Sequence, residues 1–189
     1  MGSVRRRGEH IRLSLTAADA AIVVSLTSQV LELLGDVDAP PAGEESLQDL
    51  LDGSQEPVPP PRDAALRRLL PDGYREDDAA SAEFRRLTEA DLRAAKRTGL
   101  TRIVSDLLSP EAAQRGGAVR LDLDDEAAEI WLIALNDVRL TFGTRIEVRE
   151  DMDDERMSLP VDSQRYAEIA TYDWFSWLQD AILRALTDE

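Results

Sequence analysis

The sequence predicts a mostly α protein: a single-domain helical bundle with a minor two-stranded β element. Apolar residues recur at three- and four-residue intervals over most of the chain, as in helices that bury one face. Two short segments alternate apolar and polar residues, as strands do. The length of 189 residues suits one domain. We expect residues 1–8 to be a flexible N-terminal tail and residues 9–189 to form the domain.

The first strand and helix are predicted near the N-terminus. The segment His10–Leu15 alternates, with Ile, Leu and Leu on one face and His, Arg and Ser on the other. Thr16 is placed as a helix N-cap, and Asp19 stands three residues later, where a capping box needs its acidic partner. The helix then continues to about Leu34, and Gly35 is placed to end it.

A second unit of the same kind lies 108 residues further along. The segment Val119–Leu123 alternates as a strand, and Asp124 can cap the helix that follows it. Asp125 and Glu126 suit the positive N-terminal end of that helix. We expect the two short strands to lie side by side, each leading into a core helix.

Between and after these units the chain changes character. Residues 36–62 are acidic and rich in proline, which is typical of a flexible insert, in which 47–51 could form one or two helical turns. Asp63 begins a short helix, and Ser81–Leu108 is one long helix or a helix pair. The acidic run Glu147–Pro160 is expected to be a second exposed loop. The last helix is predicted from about Ser163 to Leu186.

Composition excludes several classes of function. The formal charge of −16 argues against non-specific DNA binding, which depends on phosphate neutralisation, and favours solubility or a basic partner surface. The absence of cysteine removes disulfides, a thiolate nucleophile and a cysteine-based zinc site. The N-terminus lacks the apolar core of a signal peptide, and we identify no membrane segment, so a cytoplasmic location is expected.

The segment Glu129–Ile146 is the most unusual in the chain, because polar groups lie among the core positions of an apolar helix. Such groups must find partners or cost free energy. Two interpretations remain: a pocket for an anionic ligand, or an internal network with the helix Ser81–Arg97, which we favour. The candidate structural or ligand network comprises Asn136, Asp137, Arg139, Arg145, Arg86 and Asp91.

A candidate partner surface lies in the segment Leu92–Leu108, which superficially resembles a helix-turn-helix. Its basic residues are Arg93, Lys96, Arg97 and Arg102, and direct DNA binding would require them to be exposed on one face. The alternative is one long helix whose basic residues meet acidic groups of the same protein. DNA binding without a partner is therefore not expected.

No catalytic, cofactor-binding or metal-binding residues are predicted. The sequence contains no GxSxG, P-loop or GxGxxG motif. The acidic clusters at 122–126 and 151–155 lack the glycine and the ligand spacing of a calcium loop. His10 has no neighbouring nucleophile in the sequence, so we interpret it as an exposed strand residue.

Three stretches together resemble the actinobacterial domain-of-unknown-function family 2017. They are SAEFRRLTEADLRAAKR (Ser81–Arg97), WLIALNDVRLTFGTRIEV (Trp131–Val148) and YDWFSWLQDAILRAL (Tyr172–Leu186). The resemblance implies a small, helical, cytoplasmic protein, often encoded beside the ClpS adaptor. The family's annotation extends to an oxidation-sensing transcriptional regulator whose sensing rests on a cysteine pair. A chain without cysteine cannot carry that thiol switch.

The function expected from these observations is that of a non-enzymatic regulator that acts through protein contacts near transcription. The acidic segments Asp36–Glu56 and Glu147–Glu155 would meet a basic surface on RNA polymerase or a sigma factor. The alternative is an adaptor or accessory factor in Clp-linked proteolysis, with a Clp component as the partner. An exposed apolar area around Trp177 would suggest a homodimer.

Overall fold

The structure is a computed structural model that describes residues 2–35, 59–74, 76–112 and 118–187. Within these residues the chain forms three strands and six helices. They are β1 (Ser3–Arg7), β2 (His10–Thr16), α1 (Ala17–Leu34), α2 (Ala64–Leu69), α3 (Asp78–Leu108), β3 (Ala118–Leu123), α4 (Asp125–Arg145), α5 (Met152–Ser158) and α6 (Gln164–Thr187). The mostly α class is confirmed. Most of the predicted insert, 36–58 with the possible turns at 47–51, lies outside the described residues.

The sheet has three antiparallel strands in the order β1-β2-β3, so the prediction of two strands is wrong. The predicted pair is present, because β2 and β3 lie side by side with Leu13 opposite Leu121. The additional strand is β1, in the part of the chain expected to be a flexible tail. It joins β2 through the two-residue turn Gly8–Glu9, in which Gly8 has a φ of 62°. Glycine adopts this conformation without strain, as type II′ hairpin turns require.

The composition of β1 explains why the alternation of apolar residues did not reveal it. Val4 and Arg6 are its inward-facing residues, so only one of the two is apolar. The Arg6 guanidinium donates to Asp125 at 2.8 Å and to the Ala185 carbonyl at 3.4 Å. An arginine that binds a helix N-terminal carboxylate thus occupies a position where a strand usually presents an aliphatic side chain.

Helix capping follows the predictions closely. The Thr16 side chain accepts from the Asp19 backbone N–H, and the Asp19 carboxylate accepts from the Thr16 N–H, which completes a capping box. Asp63 caps α2, and Asp124 caps α4 by accepting from the Ala127 N–H. These side chains satisfy backbone donors that the first helical turn leaves unpaired.

The hydrophobic core joins the sheet to the helices, so a helical bundle alone does not describe the fold. The buried face of β2 (Ile11, Leu13 and Leu15) belongs to the same apolar cluster as Trp131 of α4 and Phe175 of α6. Helix α1 packs against α3 and α4, and α4 packs against α2, α3 and α6. Helix α4 therefore lies at the centre, consistent with its unusual sequence.

Helix α1 is long and apolar enough, by length and composition alone, to cross a membrane, with a mean hydropathy of 1.5. Its 18 residues include Asp19 and Glu32, so it is not an uninterrupted apolar run of about 20 residues, and the expectation of no membrane segment stays a prediction. In the structure α1 packs in the core through Val23, Val30 and Leu34. The core helix of a soluble protein has the same composition, so this property alone does not indicate a membrane protein.

The acidic run after α4 is not a simple exposed loop, because it contains helix α5. Met152 is buried in a small cluster with Ile146 and Ile169. Glu155 accepts from Arg165 at 2.7 Å and from Arg149 at 3.2 Å. One buried methionine and one doubly paired carboxylate therefore anchor the segment.

Candidate functional site

The segment that resembles a helix-turn-helix lies within one continuous helix, α3, which runs from Asp78 to Leu108. Gly99 does not form a turn. A Cβ built on it would lie 3.5 Å from Ala134 Cβ and 3.8 Å from Ile130 Cγ2, so this position faces α4 at an ordinary contact distance. The choice left open between one helix and two is resolved in favour of one helix.

A buried ion pair joins α3 to α4. Lys96 Nζ donates to Asp137 Oδ1 at 2.7 Å, and the two side chains are 15% and 3% exposed. Asp137 Oδ2 has no hydrogen-bond partner among the described residues. Burial raises the pKa of Asp137, and the pairing with Lys96 only partly opposes this effect. The pair fixes the register of the two helices while one carboxylate oxygen stays unpaired.

Two arginines of α3 bind the C-terminal end of α1. Arg93 donates to the Leu34 carbonyl at 2.8 Å, and Arg97 donates to the Leu31 carbonyl at 3.1 Å and to the Gly35 carbonyl. The last turn of α1 contains no basic residue of its own. The two guanidinium groups therefore supply positive charge where the helix dipole and the unpaired carbonyls favour it.

The fourth residue of the candidate partner surface, Arg102, also has an internal acceptor. It binds Asp106 at 2.8 Å, and Asp106 in turn accepts from the buried Trp131 Nε1 at 2.9 Å. The four basic residues Arg93, Lys96, Arg97 and Arg102 thus all bind groups of this chain. Direct DNA binding by these four residues would require them to be exposed on one face, and this condition is not met. Their role in binding a protein partner stays a prediction.

Among the described residues, Asn136 and Arg139 are the members of the candidate network that hydrogen-bond to each other, and the other members do not join them in one cluster. Asn136 accepts from Arg139 of the same helix at 3.3 Å, and Arg145 binds Asp63 at the start of α2 at 2.7 Å. Arg86 pairs with Glu83, three residues before it, at 2.6 Å. Asp91 is exposed and forms no side-chain hydrogen bond or ion pair with the described residues. Only Asp137 crosses to α3, and its partner is Lys96.

Arg139 lies between two grooves on the surface of α4. One groove, of about 500 Å³, lies between α4 and α6, and the other, of about 390 Å³, lies beside α2. The Arg139 Nε is buried and has no hydrogen-bond partner among the described residues. Ile133, 65% exposed, and Leu183 line the first groove, and Trp177, 36% exposed, belongs to the same helix as Leu183. The homodimer suggested for an exposed apolar area around Trp177 stays a prediction.

An acidic surface follows the end of α4 and includes α5. We define it by five exposed acidic residues and two exposed apolar ones. They are Glu147, Glu150, Asp151, Asp153, Asp154, Met157 and Val161. Met157 and Val161 are 76% and 77% exposed. Both side chains are therefore accessible to another molecule.

The backbone of Glu147, at the edge of this surface, has an unusual conformation. Its φ of 53° is in the left-handed region, where it is the only described residue other than glycine. Glycine usually occupies this position after a helix, because a Cβ costs free energy there. The chain therefore tolerates a local strain that holds a carboxylate at the edge of the acidic surface.

Three acidic residues of the cluster at 122–126 have structural partners. Asp122 binds Arg12 with both oxygens at 2.7 Å, Asp124 caps α4, and Asp125 binds Arg6. In the described ranges, no group of three or more His, Asp or Glu side chains could hold a metal ion. Arg12 lowers the pKa of Asp122 chiefly through its hydrogen bonds.

The chain belongs to the family described as "Domain of unknown function (DUF2017)", whose model matches residues 1–186. It is 30% identical over 194 residues to "Oxidative stress regulator AosR" of Mycobacterium bovis and to the protein of the same name of Mycobacterium tuberculosis. Each alignment covers 96% of this chain and 84% of the relative. "Putative oxidative stress regulator AosR" of Mycobacterium leprae is 30% identical over 139 residues, which are 67% of this chain and 59% of that protein. No solved structure matches the chain at a significant level.

Proposed function

We propose that this protein is a non-enzymatic regulator, associated with transcription in the cytoplasm, that acts by binding a basic partner protein. The relatives named as oxidative stress regulators support a regulatory role. The partner we propose is a subunit of RNA polymerase or a sigma factor. A thiol switch is not available, because the chain contains no cysteine.

The observation that carries the proposal is the acidic surface. Protein interfaces combine apolar contact at the centre with complementary charge around it. Met157 and Val161 supply exposed apolar area, and the five exposed carboxylates of the acidic surface would pair with lysine and arginine of a partner. Within the described part of the chain, two of these carboxylates have only long ion-pair contacts: Asp151 is 3.6 Å from Arg149, and Asp153 is 3.7 Å from Arg156. Both remain available to a better-placed cation.

The left-handed backbone at Glu147 supports the same interpretation. A glycine there would relieve the strain of a positive φ, yet the chain places a carboxylate at this position. A charged residue in a destabilising backbone conformation is expected where its side chain binds a partner. The Glu147→Gly variant therefore separates function from folding, because it removes a carboxylate without a stability cost from backbone strain.

The test is capture of the partner from the native lysate with tagged protein. We compare wild type with E150Q/D151N/D153N/D154N, which neutralises four carboxylates of the acidic surface. The matched control, E32Q/E76Q/D91N/E129Q, removes the same charge at exposed positions elsewhere. We expect polymerase or sigma subunits with wild type and the control, and about tenfold lower recovery with the first variant. Glu147→Gly is expected to weaken capture while unfolding at no lower urea concentration.

Each other outcome contradicts part of the proposal. Equal recovery of polymerase or sigma subunits by all variants would remove the acidic surface as the contact. Recovery of Clp components instead would replace the transcriptional partner with the proteolytic one. Recovery of neither would contradict the proposal of a protein partner.

A further inference from the structure

The outer face of the sheet carries a cluster of arginines on an otherwise acidic protein. The pairing places Arg5 opposite Arg12, and Ser14 between Ser3 and Arg120, with all of these side chains on the face turned away from the core. Four arginines and two serines surround a shallow depression of about 210 Å³. They are Ser3, Arg5, Arg7, Arg12, Ser14 and Arg120, and we call them the arginine face.

Most arginines of the arginine face have no ion pair within the part of the chain that the structure describes. Arg12 is bound by Asp122, but Arg5, Arg7 and Arg120 form no ion pair and no side-chain hydrogen bond with the part of the chain that the structure describes. On the helices, arginines such as Arg165 bind carboxylates of the same chain. Three guanidinium groups without such a pair, on a protein of net charge −16, are therefore a local feature that folding does not require.

The strand register sets the dimensions of this cluster. Arg7 lies opposite His10, and Arg120 lies opposite Ser14, so the two arginines are two strands apart and four residues apart along the sheet. With about 4.8 Å between strands and 3.4 Å per residue, their Cα atoms are roughly 16 Å apart. Phosphates follow one another every 3.4 Å along the axis of a nucleic-acid strand, so the cluster spans about five of them.

We propose that the arginine face binds the phosphate backbone of a nucleic acid. Guanidinium groups bind phosphate oxygens through paired N–H donors, and serine hydroxyls supply further donors. The outward positions of the sheet carry no Phe, Tyr, Trp or large aliphatic side chain that would stack on bases or form the apolar centre of a protein interface. The contact is therefore one of charge and hydrogen bonds, without base recognition.

The net charge of the chain limits the strength of this contact but does not abolish it. At physiological salt the screening length is about 8 Å, so acidic groups on distant helices contribute little at the sheet. Three phosphate contacts, by Arg5, Arg7 and Arg120, predict a slope of about −2.7 for log K against log salt concentration, or a loss of about 40-fold between 50 and 200 mM. The acidic surface and the arginine face are different surfaces, so this inference does not rest on the proposed protein partner.

The test is the fluorescence anisotropy of two labelled 20-base-pair duplexes of unrelated sequence, titrated with the full chain at 50 and 200 mM salt. The variant R5S/R7S/R120S removes three charges and leaves the Arg12–Asp122 pair between β2 and β3. The matched control R68S/R149S/R184S removes three exposed arginines elsewhere. We expect equal binding of both duplexes by wild type and the control, with the slope given above. The first variant should bind at least about tenfold more weakly, and R5K/R7K/R120K within about threefold of wild type.

The opposite results would overturn the proposal. These are no binding by wild type at 50 mM salt, equal weakening by the control, or a Lys variant that binds as weakly as the Ser variant. Displacement of the duplex by poly-glutamate at equal charge would assign the face to an acidic protein segment. Displacement by equimolar pyrophosphate would assign it to a small anion. Because the Lys variant keeps the charge, it also tests the proposal if the Ser variant does not fold.

Discussion

The buried pair between Lys96 and Asp137 provides a quantitative test of the α3–α4 interface. We expect Lys96→Met to destabilise the protein, because it leaves the Asp137 carboxylate 3% exposed and without its cation. Removal of one partner of a buried ion pair costs about 3–5 kcal/mol. Asp137 can escape that cost only by taking up a proton, and protonation at pH 7 of a group with a reference pKa of about 3.9 costs about 4 kcal/mol. The expected loss at pH 7 is therefore about 3–4 kcal/mol.

The dependence on pH distinguishes this mechanism from loss of packing. Burial raises the pKa of Asp137 in the folded state, and loss of Lys96 raises it further. Such a group favours the folded state fully below its unfolded pKa, and this contribution is lost as the pH rises through the folded pKa. The Lys96→Met protein should therefore regain stability as the pH falls from 7 toward 4, by up to about 1.4 kcal/mol per pH unit.

The assay is urea unfolding followed by circular dichroism between pH 4 and 7. The double variant Lys96→Met with Asp137→Leu should be within about 1 kcal/mol of wild type, because it removes both charges. Arg86→Met, which breaks an exposed pair within one helix, serves as a control and should change the stability little. A loss of less than about 1 kcal/mol for Lys96→Met at pH 7, or a loss independent of pH, would refute the reasoning.

Three further predictions concern stability and use the same unfolding assay. Gly143→Ala should destabilise by about 1–3 kcal/mol, because its Cβ would lie 2.9 Å from Tyr172 Cε2, whereas Gly99→Ala meets only ordinary contacts and should stabilise by about 0.5–1 kcal/mol. If both alanines have the same sign, the packing argument is wrong. Thr16→Ala breaks the capping box of α1 and should cost about 1 kcal/mol; no change would mean that water replaces the cap. Trp131→Phe keeps a buried ring but removes the indole N–H donor, so a loss of at least about 1 kcal/mol is expected, and a neutral result would contradict a structural role for that hydrogen bond.

Local signals in the sequence predict the parts of the fold that depend on neighbouring residues. The capping box at Thr16 and the caps at Asp63 and Asp124 follow from spacing alone, because an N-cap binds within its own first turn. The alternation of β2 reveals its buried face for the same reason. Strand β1 was not predictable in this way, since its inward-facing Arg6 is satisfied by residues 119 and 179 positions away.

The candidate site shows the same limit more sharply. The polar groups of α4 indicated that internal partners must exist, and Asp137 does have one. Its identity depended on how α3 and α4 are aligned, which the packing of the whole fold determines. The sequence does not show that Arg93 and Arg97 bind the end of α1. Their acceptors are backbone carbonyls, which every residue has, so residue type does not identify them. The arginine face was likewise hidden, since it forms only when β1 pairs with β2.

The central claim, that the acidic surface is a protein contact, is tested most directly by zero-length crosslinking in native lysate. A carbodiimide joins carboxylates of this protein to lysines of whatever it touches, and the single lysine of the chain, Lys96, is largely buried, which limits reaction between its own copies. The account predicts crosslinked peptides in which residues 147–154 are joined to lysines of polymerase or sigma subunits. Crosslinks that arise only from carboxylates outside the acidic surface, or none to another protein, would contradict it.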